Sequence, residues 1–325
     1  MKSLTRLRAL LGGLLAALCA GTTAWAAPYP EHPVRLVVPY PAGGATDGAI
    51  RVLAERLGAA WGQPVIVDNR AGASGRLGLA LVAKSPHSYN FVAATNSTIS
   101  DELTRGGDGS FLLARDLVPV VTIFTTPVAL LVHTGTGVDS MAQYIALAQR
   151  RPGAVSFGSS GEGTSTHFYG ELLKRESRID ITHIPFAGEG PNLTELLGGH
   201  IQSAFLSASG AKKAQQTGKT RILAITTPGG SMLLPGVPSF TQLGIAGLDR
   251  DSWVGLFAPL GTPQAVRDEV AREVRKAFAV PEVRERYVQL GLIAEGGTPQ
   301  ELEQRVQADR AYWTRVVQET GIKLK

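Results

Sequence analysis

The stretch VRLVVPYPAGGATDGAIRVLAERLGAAWG, Val34 to Gly62, changes character twice. Val34 to Pro39 is an apolar, β-branched run of strand length. The next residues hold two prolines and a glycine pair, which prevent regular structure. From about Ala45, Ile50, Leu53, Leu57 and Trp61 recur at three- and four-residue steps and mark one buried helix face, with Gly62 as its stop. Strand, glycine loop and helix in that order make a βα unit.

The same order returns along the chain. Strand-length apolar runs lie at Val65 to Asp68, Phe91 to Thr95, Val120 to Thr125, Val128 to His133, Val155 to Phe157, Ile181 to Pro185, Ile201 to Leu206, Arg221 to Thr226 and Trp253 to Ala258, with helical patterns between them. Gln264 to Leu290 and Pro299 to Thr320 read as two closing amphipathic helices. This alternation predicts an α/β fold with largely parallel sheets. A chain of roughly 300 residues after its leader exceeds one usual core, so two domains are expected.

The leader is residues 1–26. Lys2, Arg6 and Arg8 precede an apolar run from Ala9 to Ala20 and the triplet Ala24-Trp25-Ala26, the three-part pattern of a secretory signal peptide cleaved near Ala26/Ala27. The run is shorter than the roughly 20 apolar residues a spanning helix needs. An exported, periplasmic protein is therefore expected. Cys19 falls in the leader behind Leu18, where lipoprotein processing wants a small residue, so the mature chain is expected to carry neither anchor nor disulfide.

The chain has 32 Lys and Arg against 27 Asp and Glu; the leader removes three of the basic residues, leaving a formal charge of +2. Nucleic-acid binding needs clustered basic residues, and none are present beyond short pairs such as Lys212-Lys213. His32, His87, His133, His167, His183 and His200 are scattered without metal-ligand spacing. No nucleotide fingerprint is complete, so no metal and no cofactor are expected.

In open α/β sheets the carboxyl ends of the strands face the ligand crevice. Three polar loops fall there: Ala42, Gly43, Gly44, Thr46 and Asp47 after the first strand; Thr95, Asn96 and Ser97 after the third; Ser159, Gly161, Glu162, Gly163, Thr164 and Ser165 after the strand ending at Phe157. Glycines admit a ligand to the backbone, free helix N–H groups point outward, and the helix dipole favours an anion. One helix terminus contributes about 0.3–1 kcal/mol, or about 2 when partly buried. Micromolar binding corresponds to about 8 kcal/mol. Several loops must therefore close on one carboxylate. Asp47 would repel an anion, and reads as the residue that orients a loop amide.

The segments YPEHPVRLVVPYPAGGATD, VDNRAGASG, ATNST, FGSSGEGTSTH, HIPFAGEGPNLTELLGGHI and SWVGLFAPLGTP span nearly the whole mature chain. Together they resemble the Bug-type substrate-binding proteins of tripartite tricarboxylate transporters. That resemblance implies a two-domain periplasmic binding protein of the type II, Venus-flytrap kind, with a ligand cleft between domains joined by two crossing strands. Domain 1 is expected over 27–124 plus 253–325 and domain 2 over 125–252. It further implies a small organic acid held by the three loops, with Phe186 on the opposite wall, a monomer, and the transporter's permease subunits as membrane partners. A periplasmic sensor feeding a membrane signalling protein would use the same cleft.

The chain also departs from that family's pattern. An acidic position in the strand Gly198 to Ser207 is Leu206, a common turn reads Pro86-His87-Ser88-Tyr89, and Asp101 to Arg115 diverges. Without that acid, a ligand ammonium lacks its partner unless Glu162 supplies it, so a carboxylate without an α-ammonium is expected. An exported hydrolase is disfavoured, because neither Gly158-Ser159-Ser160-Gly161 nor Gly72-Ala73-Ser74-Gly75 has the spacing of a nucleophile elbow.

Overall fold

The computed structural model describes residues 29–85, 88–105 and 111–322; the leader with Cys19, and Pro86 and His87 of the divergent turn, lie outside them. In chain order, β1 (Val34–Val38), α1 (Ala45–Trp61), β2 (Val65–Asn69), α2 (Arg76–Ala83), β3 (Asn90–Thr95) and α3 (Asn96–Thr104) form successive βα units. After α4 (Leu113–Asp116) and β4 (Leu117–Thr126), β5 (Val128–His133) begins a second sheet. It is followed by α5 (Met141–Arg150), β6 (Ser156–Ser159), α6 (Ser165–Ser177), β7 (Thr182–Pro185), α7 (Glu189–Gly198), β8 (Ser203–Ser207), α8 (Ala208–Gln216) and β9 (Thr220–Ile225). The chain then returns through β10 (Ser252–Pro259), α9 (Gln264–Ala279), α10 (Pro281–Gln289), β11 (Ile293–Gly296) and α11 (Pro299–Thr320).

The sheet orders are β11-β4-β10-β3-β1-β2 and β7-β6-β8-β5-β9. β1, β2 and β3 are parallel, as are β6, β7 and β8. However, β10 runs antiparallel to β3 and β4, β11 to β4, and β5 to β8 and β9. The expectation of largely parallel sheets is thus corrected to two mixed sheets. The βα units supply the parallel part, and the strands that carry the chain between sheets return against them.

Two crossings connect the sheets, and they are tied together. Pro127 alone separates β4 from β5, while residues 226–251 link β9 to β10. The Val128 amide donates to Thr226 Oγ1 at 3.0 Å, Thr226 Oγ1 donates to Asp251 Oδ1 at 2.7 Å, and Thr227 Oγ1 donates to the same carboxylate. The architecture is that of two α/β lobes, each built on its own mixed sheet and joined by two crossing segments.

The expected helix from Gln264 to Leu290 is broken in two. Pro281 lacks the N–H that would continue α9 and instead takes the first position of α10, where no such bond is needed. β11 has no counterpart among the strand-length apolar runs of the sequence: Ile293–Gly296 is short and includes an exposed Glu295, so periodicity carries no signal there.

One core lies under α1, α9 and α10 on one face of the first sheet, and another lies under α7 and α8 on the second sheet. The third reaches across both sheets, because Trp313 of α11, fully buried, packs with tilted rings at centroid distances of 5.6 and 5.7 Å against Phe168 and Tyr169 of α6. Packing here is tight enough to test. A Cβ on Gly170 would stand 1.9 Å from the Phe157 ring. Gly170→Ala is therefore expected to destabilise by about 1–3 kcal/mol and lower Tm by several degrees in a thermal melt. An unchanged Tm would show that the Phe157 ring yields freely.

Candidate functional site

The first loop is held from behind. Gly43 adopts φ +88°, a conformation that glycine takes without strain, and its amide donates to Asp47 Oδ2 at 2.9 Å. Asp47, 4 % exposed, also receives Arg51 Nε at 3.0 Å and Asn69 Nδ2 at 3.0 Å, and Asn69 Nδ2 reaches the Tyr40 carbonyl at 3.2 Å. Burial opposes the charge on Asp47, but hydrogen bonds from Arg51, Gly43 and Asn69 prevail and hold its carboxyl below the ordinary range. Gly44 is the N-cap of α1 and has no side chain to cap it. Ala42, Gly43 and Gly44 are exposed and Thr46 is half-buried. The first amides of α1 thus face outward on a loop that Asp47 fixes.

The second loop stands beside the first because β3 pairs with β1, and Tyr40 OH lies 3.5 Å from Thr95 Oγ1. Thr95 caps α3 in a reciprocal box: its hydroxyl accepts from the Ser97 amide at 3.1 Å and its own amide donates to Thr98 Oγ1 at 3.4 Å. Asn96 is fully buried; its Oδ1 accepts from Ser252 Oγ at 3.1 Å, while its Nδ2 has no partner among the described residues. A buried donor left unpaired costs about 1–3 kcal/mol. It is the kind of group a ligand or water would satisfy.

The third loop comes from the other sheet and touches the second directly. Ser97 Oγ lies 3.1 Å from Ser165 Oγ and accepts the Ser165 amide at 3.3 Å, while Ser100 Oγ donates to the Gly163 carbonyl at 2.7 Å. Thr164 caps α6, accepting from the His167 amide, and its hydroxyl donates to the Gly161 carbonyl at 2.7 Å. The first turns of α3 and α6 therefore touch, with the start of α1 on the neighbouring strand's loop beside α3. Like-signed helix ends in contact favour an anion between them.

Two histidines that the sequence left unassigned hold this third loop. The His167 and His183 rings stack with centroids 3.8 Å apart and 9° between planes. His183 Nε2 lies 2.7 Å from Ser159 Oγ, and His167 Nδ1 accepts the Gly163 amide at 3.2 Å. That acceptor role requires a neutral His167 ring with its proton on Nε2. Burial pushes His167 down to about 4 and His183 to about 3, with Lys174 acting in the same direction on both and His167 adding to the effect on His183. Their juxtaposition depends on the register of β6, β7 and α6, so spacing alone could not reveal it.

Phe186 follows β7, and its amide donates to the Ser159 carbonyl at 3.1 Å. Its half-buried ring packs on the second sheet's core, at the foot of the third loop. Glu162 is exposed, and Ser159, with 0 % exposure, is enclosed beneath the loop. The Ser159–His183 contact does not make a nucleophile. A histidine titrating near 3 is a poor general base at neutral pH, and the serine is covered.

Among the described residues no helix is long and apolar enough to cross a membrane. Residues 49–322 match the model of the tripartite tricarboxylate transporter family receptor. BugT of Bordetella pertussis is 31% identical over 325 residues, 99% of this chain and 100% of its own. The R. palustris protein Rpa4515, solved with adipate, superposes with a TM-score of 0.84 at 30% identity, covering 91% of this chain and 99% of its own. MatC from Rhodopseudomonas palustris, solved with malate, gives 0.79 at 27% identity over 89% of this chain and 100% of its own. With the family model covering most of its length and a Bug protein matching end to end, the chain belongs to the Bug-type receptors of tripartite tricarboxylate transporters.

Proposed function

We propose that this chain is the periplasmic receptor that captures a small organic carboxylate between its two lobes and presents it, as a monomer, to the permease subunits of a tripartite transporter. The lobes are taken as residues 27–124 with 253–325, and residues 125–252. Residues 1–26 are taken as a leader removed near Ala26/Ala27. The observation that carries the reading is the meeting of the α3 and α6 N-termini through Ser97 and Ser165, beside the uncapped α1 and the unpaired Asn96 donor. The adipate and malate held by two structural relatives belong to the same chemical class.

Gly44 and Thr46, with Ala42 beside them, offer the first set of donors, Asn96 and Ser97 the second, and the Thr164 and Ser165 hydroxyls the third; Gly43, Gly161 and Gly163, whose amides are held by Asp47, Ser159 and His167, shape the loops so that a ligand can approach. Asp47, Thr95 and Ser159 support them, and Phe186 and Glu162 flank the opening. Because these groups come from both lobes, ligand favours the form in which all of them converge. Calorimetric titration with a panel of small mono-, di- and tricarboxylates, beside uncharged analogues, is expected to give saturable one-to-one binding confined to acids. X-ray scattering is expected to show compaction with the acid that binds. Binding of uncharged analogues with equal affinity would refute an anion site.

A further inference from the structure

Glu189 is a carboxylate outside the three loops. It occupies the first turn of α7, and its two oxygens accept from the Ser207 amide at 2.7 Å and from Ser207 Oγ at 2.9 Å. Ser207 in turn caps α8, accepting the Gly210 amide at 3.2 Å. Among the described residues no Lys or Arg forms an ion pair with Glu189. It is a resident anion, stabilised by the starts of two helices and by neutral donors alone.

Its position is where the two halves meet. A Cβ on Gly48, in the first turns of α1, would lie 3.3 Å from Leu290; one on the next residue, Gly291, would lie 2.7 Å from the Ser209 backbone; and one on Gly210 would lie 2.7 Å from Glu189 Oε1. One seam of contacts therefore runs from the start of α1 to this carboxylate. Both stand at the carboxyl edges of their sheets, the edge that also carries the Ser159 to Ser165 loop.

We infer, building on the receptor reading above, that Glu189 determines specificity by excluding a second ligand carboxylate, so that the physiological ligand carries a single carboxylate. The donor-rich ends of α1, α3 and α6 take that carboxylate, and the other end of the ligand meets the wall holding Glu189. A second anion there faces like-charge repulsion in a partly dry cleft, and the α7 and α8 ends that would have welcomed it are already occupied. Adipate, bound by a relative that is 30% identical, is on this account a poor ligand here.

Two matched pairs test the inference: hexanoate with adipate, and benzoate with terephthalate, titrated calorimetrically at pH 8 into the native protein and into Glu189→Gln. The amide oxygen of the substituted side chain can still accept the Ser207 amide, and a thermal melt verifies the fold. The native protein is expected to bind at least one monocarboxylate ten-fold or more tighter than its dicarboxylate partner. Glu189→Gln is expected to shift that ratio at least ten-fold towards the dicarboxylate. A native preference for the dicarboxylates, or a ratio unmoved by Glu189→Gln, overturns the inference and leaves the carboxylate receptor intact. Binding of none of the four acids to either protein counts against the receptor reading, and the inference falls with it.

Discussion

Gly44→Val is expected to reduce carboxylate affinity at least a hundred-fold, about 2.7 kcal/mol, while moving Tm by no more than about 2 °C, a shift within the range of a neutral surface substitution. The separation of the two effects follows from the backbone. Gly44 has φ −77°, which any residue can adopt, and the nearest heavy atom to an added Cβ is the Pro41 carbonyl oxygen at 3.9 Å. The fold has room for the added β-carbon; an anion approaching the α1 amides does not. Gly43 would be the wrong choice, because its φ of +88° makes any side chain there strained whether or not ligand binds. Asp47→Asn is expected to weaken binding about ten-fold, since losing the charge loosens the Arg51 pairing that fixes the loop. Calorimetry and melting curves on the same samples separate the two readings. Normal binding by both variants would show the loop to be only a turn.

Acid should loosen the third loop before it unfolds the protein. His167 and His183 titrate near 4 and 3 in the folded chain, against an ordinary value of about 6.5. Above about pH 6.5 both are neutral in folded and unfolded chains, and their full contribution is present. As pH falls below that value the unfolded chain takes up protons that the folded one refuses, so stability declines until the folded values are passed. Each unit of depression corresponds to about 1.4 kcal/mol; discounted because water reaches the half-buried His183 ring, the pair should remove on the order of 3 kcal/mol between about pH 6.5 and 3.5. Protonating His167 also forfeits the acceptor for the Gly163 amide. Asp47, whose carboxyl is held below its ordinary range, adds a loss in the same direction at the acid end. Urea midpoints across this range should slope with pH in the native protein and less so in His167→Gln and His183→Gln. Parallel slopes in all three would remove the histidine pair from the account.

What the sequence made legible was local. The βα order at Val34 to Gly62 and the helix stop at Gly62 each follow from a few neighbouring residues, and each is found where those residues predict; the helix caps formed by Thr95 and Thr164, read from sequence only as loop residues, emerge with the fold. The antiparallel returns of β5 and β10 were hidden, because a buried strand reads the same in either direction. The break at Pro281 could have been taken from the proline itself. The groups that shape the site from a distance left no trace in spacing: His183 beneath Ser159 and Ser100 on the Gly163 carbonyl join residues far apart in sequence through strand register and the lobe contact. Glu189 lies in a different segment from Leu206, and only the fold brings its carboxylate to the strand end beside it, so the absence of an acid at Leu206 does not by itself decide whether a ligand ammonium finds a partner.

The most direct test is a crystal structure of the protein with the tightest-binding acid from the titrations. One ligand carboxylate is expected within hydrogen-bond distance, directly or through one water, of the α1 amides at Gly44 to Thr46 and of Ser97 or Ser165, with Asn96 Nδ2 newly paired. A carboxylate bound elsewhere, with Gly44 to Thr46 and Ser97 left facing solvent, would contradict it.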